Sequence, residues 1–332
     1  MITKKEIAEK LGVSRTTVSL VLNRKPGTRI SEETAQKVLE MARKMGYKEQ
    51  NDMEIQDLIC YILCNRRLDQ LSYFESLRAF EAVAFEANMR TVFTTVDHTM
   101  DDYNKVMNLL KSPGVKGAVV AGDFDRSIIE YIKSLNVPFV ANGVVDIEGI
   151  NLVFPDHRLA GFKATEHLLE QGHKRIAFFT GELHKLTHSK LLDGYRKALE
   201  KHNIPYDTSL VQISGLERGD ELVRRIEGLG IDYTAIFAAN EQMGIDALTE
   251  LKSKGIDIPE GKSIIAVGGS SFGIQCRPKL SVMGIDDKVM AKAILELLGK
   301  NISDLSFEPR KTLIRNNIVE RESTAPCINR PS

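Results

Sequence analysis

The stretch "EIAEKLGVSRTTVSLVLN", from Glu6 to Asn23, reads as two short helices with a tight break between them. Ile7, Ala8 and Leu11 recur at helical spacing. Gly12 ends that helix, because glycine adopts the left-handed conformation after a helix without steric cost. Ser14 is placed as the N-cap of the next helix, its hydroxyl free to accept from an N–H that has no partner within the helix. Val18, Val21 and Leu22 give the second helix an apolar stripe, which leaves Arg15, Thr16 and Ser19 opposite, with Thr17 flanking them. A helix N-terminus that carries hydroxyls and a cation suits phosphate. Helix, glycine turn and helix form the helix-turn-helix arrangement, whose second helix enters the major groove of DNA. Taken alone, an ordinary helical hairpin with a polar face reads the same way.

Outward from this stretch, "RKPGTRIS" is a Pro-Gly turn, and "SEETAQKVLEMARKMGY" predicts a third helix. Ser31 caps it, Glu32, Glu33 and Thr34 fill its first turn, and Val38, Leu39, Ala42 and Met45 make its apolar stripe before Gly46 stops it. Three helices in this space make a small bundle. Residues 1–50 carry eleven Lys and Arg against six Glu, whereas the whole chain of 332 residues is neutral, so a head of +5 sits on a body of −5. Such an asymmetry favours a polyanionic partner. The polar run "KEQNDMEIQD" reads as a linker.

From Leu58 onward short apolar runs alternate with amphipathic helices. "LICYIL", "RTVFTTV", "GAVVAG" and "VPFVANG" make a first round of strands; "RIAFFTG", "SLVQIS", "AIFAAN" and "SIIAVGG" make a second. Eight strands before Gly269, each separated by a crossover helix, predict parallel sheets in two similar lobes, with a ligand at the carboxyl ends of the strands between them. An apolar content of 42% fits a soluble chain of two or three domains. The opening "MITKKEIAEK" lacks a secretion signal and no run approaches a membrane span, so a cytoplasmic location is expected. Cys60, Cys64, Cys276 and Cys327 are scattered without a disulfide framework and read as buried free thiols; Cys60 and Cys64 share one face of a strand.

Motifs for other chemistries fall short. "GKS" at Gly261–Ser263 lacks the earlier glycine of a P-loop, since residue 256 is Ile256, and it runs into a strand. "GVKGAVVAG" lacks the G-x-G-x-x-G spacing of dinucleotide binding. His184 and His188 in "HKLTH", with His173 upstream, have helical spacing but no Cys or carboxylate companions, so surface or cleft-rim histidines are expected rather than a metal site. His157, His167 and His202 have no nucleophile partner, and neither a catalytic set nor a cofactor is expected.

"IAEKLGVSRTTVSLVLN…ISEETAQKVLEMARKMGY" resembles the headpiece of the lac-repressor (LacI/GalR) family. "LLEQGHKRIAFFTG", "DGYRKALEKHNIP", "AIFAANEQMGIDALTELKSKGIDIPEGKSIIAVGG" and "IVERESTAP" resemble the ligand domain of that family in order. The resemblance implies a small all-α helix-turn-helix headpiece on an α/β core of two doubly wound parallel-sheet lobes, of the type I periplasmic-binding-protein kind. It implies a homodimeric, or dimer-of-dimers, repressor that binds double-stranded, pseudopalindromic operator DNA, and an effector between the lobes that changes DNA affinity. The implied boundaries are a headpiece over 1–49 and a linker or hinge over 50–57. A first lobe follows from 58–155 plus 284–313, a second from 156–283 plus 314–327, and a tail from 328–332.

Carried over by position, Arg15 and Thr16 take the family's base-reading places, and Leu20 stands where the lac repressor reads with an arginine. Ser14, Thr17, Ser19, Asn23, Ser31 and Thr34 match phosphate-contacting places. The family's hinge, usually "RPNALARSL", is "KEQNDMEIQDL" here, with Glu54 in the arginine place and Gln56 in the leucine place. Docking chiefly through the major groove is expected, without a wedge of Ile55 or Leu58 in the minor groove. For the effector, Asn240 matches an asparagine that bonds sugar hydroxyls, and Tyr73 and Phe154 fall where rings line the cleft. Ser270 replaces a sugar-clamping aspartate, and Leu191, beside Lys190, replaces an arginine. Asn142 lies beside an acidic place that is now Gly143. The expected effector is small and polar, a sugar or sugar derivative among the candidates. Two other readings stay open: a small-molecule binding protein without DNA function, and a doubly wound α/β enzyme. The segment "PCINRPS" shows no leucine heptads, so no tetramer built on a terminal coiled coil is expected.

Overall fold

The computed structural model describes residues 2–22, 30–45, 57–65, 71–97 and 99–327, and the chain forms two compact units, Met1–Gln56 and Asp57–Ser332. In the first, α1 (Lys4–Leu11), α2 (Arg15–Leu22) and α3 (Glu32–Met45) follow their local signals. Thr3 and Glu6 form a reciprocal capping box on α1, and Gly12 closes it at φ 65° with its N–H on the Ala8 carbonyl. The three helices bury Ile7, Ala8, Val18, Val38 and Ala42, with Val21, Leu22, Met41 and Met45 packed against them. Leu39, expected in the stripe of α3, is instead 44% exposed, and Met41 takes its place. Residues one turn apart on either flank satisfy the same spacing, and only the position of α1 and α2 decides between them. The expected phosphate contact Asn23, the stop at Gly46, hinge residues Glu54, Ile55 and Gln56, and the tail 328–332 lie outside the described residues.

Among the described residues the second unit holds two six-stranded sheets. The first contains β1 (Leu58–Cys64), β2 (Arg90–Val96), β3 (Val115–Gly122), β4 (Phe139–Asn142), β5 (Leu152–Pro155) and β11 (Lys311–Ile314), in the order β11-β5-β4-β3-β1-β2. All of its neighbouring strands run parallel. The second contains β6 (Ile176–Thr180), β7 (Val211–Ile213), β8 (Ala235–Ala238), β9 (Ser263–Val267), β10 (Ser281–Gly284) and β12 (Asn317–Val319), in the order β12-β10-β9-β8-β6-β7. Helices α4 (Leu71–Glu86), α5 (Met100–Leu110), α6 (Arg126–Ser134) and α12 (Asp287–Ser303) belong to the first sheet. The second sheet has α7 (His157–Glu170), α8 (Leu186–Lys201), α9 (Gly219–Gly228), α10 (Glu241–Ser253) and the short α11 (Ser271–Gln275).

The period of two along a strand explains the layering. In β1, Cys60, Ile62 and Cys64 pack with Val106, Ile128 and Ile132 of α5 and α6, while Ile59, Tyr61 and Leu63 pack with Phe80 of α4 and Leu298 of α12. Burial pushes the Cys60 and Cys64 thiols up to about 12, so they are inert, whereas Cys276 and Cys327 are only half-buried. Leu58 pairs with Arg90 and Val115 and its N–H binds the Gly114 carbonyl at 2.8 Å, which commits it to the sheet.

Two expectations about strands need correction. Among the described residues nine strands rather than eight precede Gly269, because β5 is a four-residue strand just ahead of a helix cap. The second sheet is not wholly parallel, since β12 runs antiparallel to β10 at the edge. The chain passes from the first sheet to the second after Pro155, returns after Gly284, and passes again between Ile314 and Asn317.

Candidate nucleic-acid interface and effector cleft

Ser14 accepts from the Thr17 N–H at 3.0 Å, and the two hydroxyls lie 2.8 Å apart. Ser31 and Thr34 repeat the arrangement at the start of α3, at 3.3 and 2.8 Å. Each pair satisfies one orphan N–H and gathers two hydroxyls at a positive helix end. Arg15 and Thr16, on the first turn of α2, are exposed, and Arg15 has no ion pair among the described residues. Val18 holds that helix in the core from the opposite side. Leu20 is half-buried and, among the described residues, does not join the headpiece core. Ser19 is half-buried on the same helix. The surface offers a cation with a planar donor fork between hydroxyl-bearing helix ends, which is the chemistry that duplex phosphates and base edges take.

In the larger unit the strand ends of the two lobes face each other. Asp123, just past β3, meets Lys185 at 3.2 Å, and Glu75 of α4 accepts the Ser271 N–H at 3.0 Å, so contacts join the lobes at two places. On the first lobe, the buried Tyr61 hydroxyl bonds Asn142 and is pushed up by burial, with Tyr73 and Asp287 close by. Burial also raises Asp287, which accepts from the Ser76 hydroxyl at 2.6 Å. Phe154 is half-buried against the first lobe's core. The acidic place that reads as Gly143 has a physical account: a Cβ there would stand 3.0 Å from the Phe124 ring.

On the second lobe Asn240 caps α10, accepting the Met243 N–H at 2.8 Å, and donates to Glu217 at 2.8 Å. His188 reaches the other Glu217 oxygen at 3.2 Å. Glu217 sits at φ 55°, a left-handed backbone rare for a residue with a side chain, which places its carboxylate between these two partners. The sequence carries no signal for this pair, because the partner lies 29 residues from His188. Ser270 is buried and spends its hydroxyl on the Phe272 N–H, while its own N–H binds the buried Glu241 at 2.8 Å. Leu191 is fully buried against α7. Tyr73 and Asn142 thus meet around Tyr61, Asn240 and His188 share the Glu217 carboxylate, and Lys190 and His188 both lie near His157, whereas Phe154 and Ser270 join none of these groups.

Of the three histidines expected at the surface or the cleft rim, His184 is exposed, whereas His173 and His188 are not. His188 and His173 are buried, and His173 bonds Thr234, Ser263 and the Ala325 carbonyl at 3.0–3.1 Å, a structural clasp at one end of the sheet. His157, at the first residue of α7, is pushed down to about 4 by burial and then by His188. A base depressed in the folded state binds its proton more readily when unfolded, so stability is lost as the pH falls from 6.5 toward 4. The loss attributable to His157 amounts to roughly 3 kcal/mol by pH 4. Urea titrations across that window are expected to show a shallower acid loss in His157→Asn than in the parent chain; an unchanged slope would place the titration elsewhere. His167 and His173 shift in the same direction, so the difference between the two proteins is the quantity to read.

Among the described residues no cluster of three or more His, Cys, Asp or Glu could hold a metal ion, and no helix is long and apolar enough to cross a membrane.

Comparison with known proteins places both units. Residues 3–50 match the bacterial regulatory proteins of the lacI family, and residues 165–324 match the periplasmic binding protein-like domain. The chain is 25% identical to catabolite control protein A of Priestia megaterium over 97% of its own length and 99% of that protein. It is also 25% identical to the HTH-type transcriptional regulator DegA of Bacillus subtilis, over 97% of each. Among solved structures, a lac repressor dimer bound to operator and the anti-inducer ONPF superposes with a TM-score of 0.73 at 22% identity, covering 98% of this chain and 99% of that one. A transcriptional regulator CelR–cellobiose complex gives 0.72 at 24% identity, covering 97% and 100%. With the lacI-type headpiece, a two-lobed α/β core and full-length relatives that regulate transcription, the chain belongs to the lacI family of DNA-binding transcriptional regulators.

Proposed function

We propose that this protein is a cytoplasmic homodimer that represses transcription from a pseudopalindromic operator and is tuned by a small polar effector held between its lobes. The single observation that carries the reading is the Ser14-capped start of α2, where Arg15 and Thr16 are exposed over a small apolar core. Arg15 and Thr16 read bases, with Leu20 alongside; Ser14, Thr17, Ser19, Asn23, Ser31 and Thr34 hold phosphates and set the register. The expected lobe limits of 284–313 and 314–327 move by one residue at the sheet crossings, since Gly284 ends β10 of the second sheet and Ile314 ends β11 of the first; the lobes are then 58–155 plus 285–314, and 156–284 plus 315–327.

Dimer formation has a candidate face. Phe74, Arg78, Glu81 and Phe85 recur along α4 at a spacing that puts all four on one exposed stripe, with Phe74 47% and Phe85 57% exposed. A two-fold axis through this stripe pairs Arg78 with the partner subunit's Glu81 and covers both rings. The exposed Phe272 and Ile274 of α11 offer a second apolar patch on the other lobe. For the effector, Asn240, Lys190, Tyr73 and Asn142 are the side chains that support a polar ligand, with Phe154 and Ser270 as further members of the set.

The test is a titration of the full chain against genomic fragments that it captures. A site-selective complex is expected, weakening by about a thousandfold between 50 and 200 mM salt. Absence of any salt-sensitive, site-selective binding would remove the reading.

A further inference from the structure

Helix α8 begins in an unusual electrostatic setting. Its N-cap, Lys185, makes no side-chain cap bond, no acid lies in its first turn, and His188 and Lys190 follow within two turns. Cations at the positive end of a helix are unfavourable, and anions there are favourable. Lys185 is paired with Asp123 across the cleft at 3.2 Å, and His188 lies 3.2 Å from Glu217. Lys190, half-buried, has no ion pair among the described residues.

A second observation points to the same place. His157, 8% exposed, faces His188 and Lys190 from the start of α7, and its Nδ1 has no partner among the described residues. His188, 4% exposed, also has an unpartnered Nδ1. Asn316, fully buried on the neighbouring crossing, has both amide atoms unpartnered. The Asp156 N–H bonds the Ile314 carbonyl, so His157 and Asn316 each stand two residues beyond the paired Pro155 and Ile314. Buried polar groups without partners are rare in native proteins and mark where a ligand or ion is taken.

We propose that Lys190, His157, His188 and the Asn316 amide form a subsite for an anionic group, a carboxylate or a phosphate monoester, carried by the effector. The acids nearby keep their charge but are held by other partners. The Asp156 carboxylate is engaged with the Leu159 N–H, and both Glu217 oxygens are engaged with His188 and Asn240. With Nε2 on Glu217, the Nδ1 edge of His188 is the one left without a partner among the described residues. The places where acids would clamp a neutral sugar are Ser270 and Gly143. This inference rests on the proposed effector cleft and narrows the chemistry of its ligand.

The test is thermal shift and calorimetry on the full chain in chloride buffer. The probes are glucose, glucuronate, glucose 6-phosphate and inorganic phosphate, each against the parent and Lys190→Gln. Glucuronate or glucose 6-phosphate is expected to raise the melting temperature by about 5 °C near saturation, with glucose giving no shift. Which acid works separates carboxylate from phosphate. Lys190→Gln, with an unchanged melting temperature when free, is expected to bind that acid about tenfold or more weakly. The proposal is overturned if glucose matches its acids, if Lys190→Gln binds them like the parent, or if no acid, inorganic phosphate included, shifts the protein. Each of those outcomes would leave the DNA titration untouched, so failure here and failure of the regulator reading are separable.

Discussion

Arg15→Ala is expected to weaken binding to the preferred operator by about 10- to 100-fold for each half-site, and to flatten the preference at one base pair in each. The cause lies in the geometry of the guanidinium, whose paired N–H donors match the two acceptors on a guanine edge, whereas alanine matches none. Folding should not suffer, because Arg15 is exposed and outside the headpiece core; changes within about 0.5 kcal/mol are expected in a melt. Thr34→Ala provides the contrast. Its hydroxyl belongs to the Ser31 pair at a helix end, so its loss should lower affinity for all sequences alike. Site selection by sequencing, run on both variants and the parent, distinguishes the two behaviours. An unaltered preferred site for Arg15→Ala would show that another side chain reads that base.

Gly194→Ala is expected to destabilise the core by about 3 kcal/mol, against the direction that helix propensity predicts. Within a helix, alanine is favoured over glycine by about 1 kcal/mol. At Gly194, however, the new methyl would collide with the Arg158 carbonyl and stand 2.6 Å from the Phe162 nitrogen, so the obstacle is backbone and has no rotamer to yield. Gly161 faces back in the same manner, its Cβ direction blocked by the Leu191 carbonyl. Helices α7 and α8 therefore cross backbone to backbone, and a methyl between them must lift one off the sheet. Gly299, in α12 with nothing within 4 Å of its Cβ direction, is the control: Gly299→Ala should stabilise by up to about 1 kcal/mol. Opposite signs in paired urea titrations are the expected result; a stabilised Gly194→Ala would mean that the helices are not held this closely.

The features legible in the sequence are those whose causes are local. Ser14, Ser31 and Gly12 act within a few residues, so the headpiece helices were readable from caps and spacing. Strands such as β1 and β9, buried on both faces, announce themselves as apolar runs. By contrast, β12 is exposed along its whole length and owes its existence to a vacant edge beside β10. Leu39 and Met41 compete for one groove, and only the third dimension decides. The site follows the same division. Position within a family pattern pointed to Asn240, but the Glu217 carboxylate beside it depends on a left-handed turn flanked by ordinary residues. The burial of His173 and His188 was not legible because their partners come from distant strands and loops.

The last crossing has a consequence for biosynthesis. Strand β11 borders one sheet and β12 borders the other, only three residues apart. During translation, then, the first lobe cannot finish its edge before residue 314 is made, nor the second before residue 319, long after the headpiece has been synthesised. A nascent chain stalled at 305 would display a DNA-reading module on two half-built lobes with unpaired borders, the state most exposed to proteases and to sticking between neighbours.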